Sequence, residues 1–221
     1  DTIKYFAIPP FFERGSHEKL TFSMDYYNTE NYLLPFSHDE SSHGKKSILG
    51  KMWGTTPQKF AQCRALYVYM FTHPGKKLNF MGNEFAQLDE WKITEEIHWY
   101  ELQNEYNGKF AAFFREMSQI YRWYPSLWEM DYNGVGFEWI DRTDDYNNIF
   151  AYIRRGGGQE TVVVLNLSTN PQYKYILGLP HQGSIREIMC SDAPEYGGGG
   201  GARKPPAGGS SGRCGWLRGG R

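Results

Sequence analysis

Apolar side chains recur at helical spacing in two segments of the chain. The first segment begins at Thr55-Thr56-Pro57, which supplies a capping threonine and a proline in the first turn, and it ends before His73-Pro74-Gly75. Its apolar positions are Phe60, Cys63, Tyr67, Met70 and Phe71. The second segment runs from about Lys109 to Trp123 and is followed by Tyr124-Pro125, which disfavours helix. Two amphipathic helices are therefore predicted.

Short apolar runs flank the first of these helices. Tyr32 to Phe36 precede it, and Lys77 to Met81 follow it. A strand, a helix and a second strand in succession predict a parallel α/β unit, because parallel strands need a long crossover connection. Upstream of this unit, the sequence predicts loop with short helices at residues 8–13 and 17–22.

Beyond residue 125 the pattern changes to short β runs separated by turn signals. The predicted strands are Phe137 to Ile140, Ile149 to Arg154, Thr161 to Leu167, Tyr173 to Leu177 and Ile185 to Met189. They predict a small antiparallel β-sandwich. We therefore expect an α/β domain over residues 1–125 and an all-β domain over residues 126–196. Residues 197–221 contain eleven glycines and five basic residues, a composition that predicts a disordered Gly/Arg-rich tail.

Composition and charge argue against several classes of function. The net charge is −1, but the tail has no acidic residue, so residues 1–196 hold 19 basic and 25 acidic residues, a net −6. An acidic body gives no electrostatic case for nucleic acid. Three widely spaced cysteines without a CxxC pair fit a reducing compartment, so a cytoplasmic location is expected. The longest apolar run, Ala65 to Phe71, is too short for a membrane helix, and the missing initiator methionine favours a fragment.

Two groups of polar side chains follow the two predicted strands of the α/β unit. His38, Asp39, Glu40 and His43 come directly after the first strand. A carboxylate beside an imidazole at a strand end can accept hydrogen bonds from substrate hydroxyls or carry charge during a reaction. The alternative is a strand-end cap beside a buried histidine.

The second group, Asn83, Glu84 and Trp91, follows the second strand. Because the carboxyl ends of parallel strands share one edge of a sheet, we expect both groups to line one cleft, with Trp91 as a platform for a sugar ring. The alternative here is an ordinary capped turn between strand and loop.

Other chemistries have weaker support. His38, Asp39, Glu40 and His43 carry metal-ligand atoms, but their spacing matches no HExxH pair. The chain has no GxSxG nucleophile elbow, and Gly44-Lys45-Lys46-Ser47 lacks the first glycine of a phosphate-binding loop.

Longer runs around the two polar groups resemble a known family. Leu34 to Glu40, His43 to Leu49, and Phe80 to Gln87 with Glu90-Trp91 are similar to motifs of the bacterial glycogen branching enzymes, the 1,4-α-glucan branching enzymes of the α-amylase superfamily. The resemblance covers residues 1 to about 196. It implies the C-terminal part of a TIM-type (β/α)8 barrel followed by an all-β domain, and the tail after Gly197 departs from the family pattern.

The resemblance also implies a reaction, in which an α-1,4-glucan is cleaved with retention and re-attached through an α-1,6 branch by three cooperating carboxylates. Only the transition-state stabiliser maps here, onto Asp39, with His38 as the histidine that binds a hydroxyl of the same sugar. The nucleophile and the general acid belong to earlier strands of the family, so the isolated chain is expected to be inactive. Further substrate-binding candidates are Glu40, His43, Lys45, Asn83, Glu84 and Trp91.

The partners implied are an α-glucan and the missing N-terminal part of the same enzyme, with no cofactor, metal ion, nucleic acid or membrane. Two other functions stay open: a glucan-binding module centred on residues 126–196, and a fragment of an α-amylase-type hydrolase. Glucan binding that is unaffected by Asp39→Ala would favour the module, and product analysis would separate a transferase from a hydrolase.

Overall fold

The structure is a computed structural model that describes residues 1–9 and 16–200, together with the backbone of residues 214–215. Its α-helices are α1 (Thr2–Phe6), α2 (Glu18–Thr21), α3 (Ile48–Lys51), α4 (Thr56–Thr72) and α5 (Glu105–Trp123). Its strands are β1 (Leu33–Phe36), β2 (Lys76–Asn79), β3 (Phe137–Asp144), β4 (Ile149–Gly156), β5 (Gln159–Asn166), β6 (Ile176–Leu177) and β7 (Cys214–Gly215). Short 3₁₀ helices lie at Phe22–Asp25, His38–Glu40, Asn83–Phe85, Trp99–Gln103, Pro125–Leu127, Gly134–Gly136 and Pro194–Tyr196.

The predicted strand, helix and strand unit is confirmed. β1 and β2 pair in parallel, with Leu33 opposite Lys76, and α4 forms the crossover between them. The start of α4 follows its sequence signal, because Pro57 lies in the first turn and the backbone N–H of Thr55 donates to Oε1 of Gln58 at 2.8 Å. This unit fixes where the candidate site residues leave the sheet.

The β region is a three-stranded antiparallel meander in the order β3, β4, β5. β4 lies in the middle and is buried along almost its whole length, as expected for a strand that is covered on both faces. It packs on α4, where the hydroxyls of Tyr152 and Thr72 are hydrogen-bonded at 2.5 Å. The first three of the five strands predicted in this region are therefore confirmed.

The predicted sandwich is wrong in part. The predicted strand Ile185 to Met189 joins no sheet, and its Ile188 and Met189 side chains pack on the core instead. Of the predicted strand Tyr173 to Leu177, only β6 is formed, paired with residues 214–215. In the β region the described residues thus form the meander and the short β6–β7 pair rather than two packed sheets, because an apolar run becomes a strand only where a neighbouring strand supplies its hydrogen bonds.

Other differences concern short or terminal segments. α1 and α3 were not predicted, since four or five residues give too few positions to establish a helical period. The predicted helix at 8–13 lies mostly outside the described residues. In the predicted disordered tail, residues 197–200 lie against the segment that precedes them, and the backbone N–H of Gly200 donates to the carbonyl of Asp192 at 3.0 Å. Residues 201–213 and 216–221 lie outside the described residues.

One hydrophobic cluster runs through both predicted domains and extends from Tyr5 to Tyr196. The side chain of Arg154 is also fully buried. It donates to Oδ1 of Asp131 at 2.7 Å, to the carbonyl of Thr72 at 2.6 Å and to the carbonyl of Gly136 at 3.2 Å. The meander and the end of α4 are therefore joined by one buried cation, and the division at residue 125 stays a prediction.

None of the helices in the described part of the chain combines the length and the hydrophobicity of a membrane span.

Candidate active site

The candidate site begins where β1 ends, at a 3₁₀ turn formed by His38–Glu40. Ser37 caps this turn: its Oγ accepts from the backbone N–H of Asp39 at 3.1 Å. In return, Oε2 of Glu40 accepts from the backbone N–H and the Oγ of Ser37 at 2.9 and 2.8 Å. This is a capping box, and the Ser-x-x-Glu spacing is its sequence signal. Glu40, predicted to bind substrate, therefore uses its carboxylate to hold His38 and Asp39 at the strand end.

The side chains of His38 and Asp39 project from this turn into solvent. They are 53% and 74% exposed, and Nε2 of His38 lies 3.5 Å from Oδ1 of Asp39. The imidazole packs against Phe80 at 5.7 Å and against Trp91 at 6.2 Å between ring centroids, and Phe80 and Trp91 meet edge to face. An accessible carboxylate beside this aromatic cluster can accept hydrogen bonds from sugar hydroxyls, and aromatic faces suit the apolar faces of sugar rings.

The loop that follows the 3₁₀ turn has a backbone that few residues adopt. His43, Gly44 and Lys46 have φ angles of 55°, 80° and 66°, in the left-handed region that only glycine enters without steric cost. The carboxylate of Glu90 stabilises this turn, because it accepts from the backbone N–H of Gly44 at 3.0 Å and of Lys46 at 3.2 Å. Lys45, at the tip, donates from Nζ to the carbonyl of Asp39 at 2.8 Å.

Two further bonds tie this loop to the segment after β2. The backbone N–H of Trp91 donates to the carbonyl of Ser41 at 2.7 Å, and Oγ of Ser47 donates to the carbonyl of Leu88 at 2.8 Å. The predicted meeting of the two polar groups at one sheet edge is thus found for Trp91, whose ring lies against His38.

Asn83 and Glu84 take other places. Asn83 is buried, and its Nδ2 donates to the carbonyl of Phe36 at 3.3 Å, so it fastens the end of β2 to the end of β1. Glu84 is half-buried and lines a groove of about 470 Å³ along α5, together with Trp99 and Arg115. His38 and Asp39 do not line this groove.

Two residues that shape the loop were not predicted as site residues: Lys51 was not singled out by the sequence, and Glu90 was named only within the family motif Glu90-Trp91. Nζ of Lys51 donates to the carbonyl of Lys46 at 2.9 Å and to that of Lys45. Burial lowers the pKa of Lys51, while the carboxylates of Glu40 and Glu90 oppose that shift. Neither contact has a local sequence signal, because each joins a charged side chain to backbone groups several residues or a whole element away.

Comparison with known proteins covers both halves of the chain. Residues 139–213 match the model of the alpha amylase C-terminal all-beta domain. Over 200 residues, 90% of this chain, the sequence is 44% identical to the 1,4-alpha-glucan branching enzymes GlgB of Thermosynechococcus vestitus and Bacillus cytotoxicus. These matches span 26% and 31% of the length of those proteins.

A debranching enzyme of Nostoc punctiforme, solved from an acarbose-soaked crystal, aligns with 80% of this chain and 37% of its own at a TM-score of 0.53. Its sequence identity is 16%, so the likeness concerns the fold alone. The sequence matches, in contrast, confirm the family resemblance. Over 90% of its length the chain is similar to the 1,4-alpha-glucan branching enzymes of bacteria, and it spans about a quarter to a third of the length of the relatives it matches.

Proposed function

We propose that this chain is the C-terminal part of a 1,4-α-glucan branching enzyme, with β1, α4 and β2 as strands and a helix of a TIM-type barrel. The observation that carries the proposal is the end of β1, where His38 and Asp39 are exposed beside Phe80 and Trp91. The proposed substrate is an α-glucan. The reaction transfers a cleaved α-1,4-linked chain to a 6-hydroxyl, and it proceeds with retention.

In this proposal Asp39 binds sugar hydroxyls and stabilises the positive charge that develops on the sugar ring in the transition state. His38 donates a hydrogen bond to the same sugar. The capping box of Ser37 and Glu40 fixes the backbone of both residues before substrate arrives, so less conformational entropy is lost on binding. Trp91 lines the same wall, and Lys45 positions the backbone of Asp39.

Glu40 and Asn83 support the wall through contacts within the protein, whereas His43 is an exposed candidate at the loop tip. Glu84 contributes least to this proposal, because it lines the groove along α5. The proposed location is the cytoplasm, which agrees with a thiol, Cys63, buried in the core rather than joined in a disulfide.

The nucleophile and the general acid are supplied, in this proposal, by a preceding part of the barrel. The isolated chain should therefore form no α-1,6 branches in amylose. A hybrid in which this chain replaces the segment that it matches in the Thermosynechococcus vestitus enzyme should form them. In the hybrid, Asp39→Asn should lower kcat/KM about 100-fold or more, because a charge aimed at the transition state is lost.

The matched control is Asp145→Asn, an exposed aspartate in the turn after β3, which should leave kcat/KM unchanged. Branches are counted after debranching with isoamylase and chromatography of the released chains. Branching by the isolated chain at the rate of the hybrid would refute the proposal, and so would equal activity of the two variants. Shortened linear products in place of branches would indicate a hydrolase.

A glucan-binding module in the β region is the second candidate, and the exposed ring of Tyr146, 72% accessible, favours it. Affinity chromatography of the 221-residue chain on amylose separates the two. Retention that is lost in Tyr146→Ala and kept in Asp39→Asn would favour the module.

A further inference from the structure

A second cluster of titratable side chains lies on the connection between β2 and α5 and consists of Asp89, His98 and Glu101. Each offers one ligand atom, and the three atoms lie within 4.8 Å of one another. Nδ1 of His98 is 3.3 Å from Oε1 of Glu101 and 3.8 Å from Oδ2 of Asp89. The imidazole nitrogen thus faces two carboxylates on the same side.

These separations fit a metal ion. Ligand atoms at about 2.0 to 2.2 Å from a tetrahedral Zn²⁺ are about 3.3 to 3.6 Å apart, which is close to both distances from Nδ1 of His98. An imidazole with two carboxylates is a donor set that suits Zn²⁺ and neighbouring transition metals better than Mg²⁺ or Ca²⁺. We propose that Asp89, His98 and Glu101 form a binding site for a divalent transition-metal ion, with Zn²⁺ as its best occupant.

The backbone around the three residues holds them in place. Glu101 is 2% exposed, and its Oε2 accepts from the backbone N–H of Leu88 at 2.9 Å, which turns Oε1 toward the imidazole. The buried amide of Gln87 accepts from the backbone N–H of His98 at 3.1 Å and donates to the carbonyl of Asp89 at 3.2 Å. The two ligand-bearing segments are therefore cross-linked by one side chain before any ion binds.

The far side of the imidazole has the surroundings of a metal-bound histidine. Nε2 of His98 faces Oε2 of Glu95 at 3.6 Å, and a histidine that ligates through one nitrogen usually directs its other N–H at a carboxylate. Tyr100 stacks on the same ring at 5.2 Å. Asp89, 69% exposed, leaves the site open on its solvent side, where an ion can enter.

The position of the site gives the ion a structural effect. Asp89 is adjacent to Glu90, whose carboxylate stabilises the left-handed turn next to Asp39. An ion bound by Asp89, His98 and Glu101 would hold this connection to the 3₁₀ helix Trp99–Gln103 and make it more rigid. The site needs neither a glucan nor catalysis, so it stands or falls independently of the proposed function.

The test is titration of the full 221-residue chain with ZnCl₂ by calorimetry, after treatment with a chelator. We expect a site that binds one Zn²⁺ per chain and raises Tm, and that is lost in His98→Gln and in Asp89→Asn. Both positions retain some exposure, so these variants should fold, and circular dichroism checks that they do. The matched control is His181→Gln, an exposed histidine in another region, which should bind Zn²⁺ as the unmodified chain does.

X-ray absorption of the Zn²⁺-loaded chain supplies the second readout. The proposal requires one imidazole and oxygen ligands and no sulfur. Binding that is unchanged in both His98→Gln and Asp89→Asn would overturn it, as would a spectrum with thiolate ligands. Saturable binding of Ca²⁺ or Mg²⁺ without binding of Zn²⁺ would also overturn it, because the imidazole would then have no part in the site.

Discussion

Replacement of Arg154 by methionine should cost more stability than any surface substitution in the chain, because its guanidinium has no access to water. The side chain is fully buried and donates to Asp131, to the carbonyl of Thr72 and to the carbonyl of Gly136. Methionine has a similar apolar length, so the change removes the charge and the donors while it keeps much of the volume.

The size of the stability loss follows from the buried groups that lose their partner when Arg154 is replaced. Asp131 is 1% exposed, and without Arg154 it keeps an ion pair with Lys76 at 3.1 Å, whose own side chain is half in solvent. A buried charge that loses its partner typically costs about 3 to 5 kcal/mol. The carbonyls of Thr72 and Gly136 lose buried donors as well. We therefore expect Arg154→Met to lower the free energy of unfolding by about 4 kcal/mol.

The next residue is the control. Arg155 pairs with Glu138 and Glu160, but its side chain is 26% exposed and its partners 50% and 40%. Surface pairs of this kind contribute roughly 0 to 1 kcal/mol, so Arg155→Met should have a small effect. Urea unfolding followed by tyrosine and tryptophan fluorescence measures both variants. Equal losses in Arg154→Met and Arg155→Met would refute the reasoning, and Asp131→Leu combined with Arg154→Met should recover part of the loss.

Two more predictions follow from buried and strained groups. Burial lowers the pKa of His73 to about 3, so below pH 6.5 the unfolded chain takes up a proton that the folded chain excludes. The free energy of unfolding should therefore fall between pH 6.5 and 3 by up to about 1.4 kcal/mol per pH unit. Urea unfolding at several pH values should show a shallower dependence of this free energy on pH for His73→Gln, and an equal dependence would contradict the prediction. Glu90→Gln should speed amide hydrogen exchange of Gly44 and Lys46 about tenfold, because the charged acceptor of both amides is lost. Exchange at these two amides that is no faster than in the exposed control Glu96→Gln would contradict this prediction.

The elements that the sequence predicted correctly have either a long repeating pattern of apolar residues or clear start and stop residues. α4 begins at its capping threonine and proline, and the three meander strands are runs rich in β-branched and aromatic residues that are bounded by turn residues, so local sequence signals indicate them. The strand predicted at Ile185 to Met189 did not form, because a short run with strand-forming residues does not show whether a partner strand is present.

Some features of the candidate site could likewise be predicted from the sequence, and others could not. The exposed placement of Asp39 at a strand end follows from the order of strand and polar loop, and the Ser37 and Glu40 capping box could have been found from its spacing. The contact of Glu90 with the turn at Gly44 could not, because 46 residues separate them and only the parallel pairing of β1 and β2 brings them together.

The sequence separations of the paired strands predict the order in which the meander and the β1–β2 sheet fold. In the meander, β4 and β5 join residues as close as 156 and 159, whereas the first pair of β1 and β2 joins residues 33 and 76, a separation of 43. Loop closure costs more entropy for distant pairs, so we expect the meander to form first and the β1 and β2 pair last. In pulsed hydrogen exchange during refolding, the amide of Lys76, bonded to the carbonyl of Tyr32, should gain protection after those of β4. The wall that carries Asp39 would then be the slowest part to assemble, so a substitution that delays only this step would yield chains with a complete meander and no functional site.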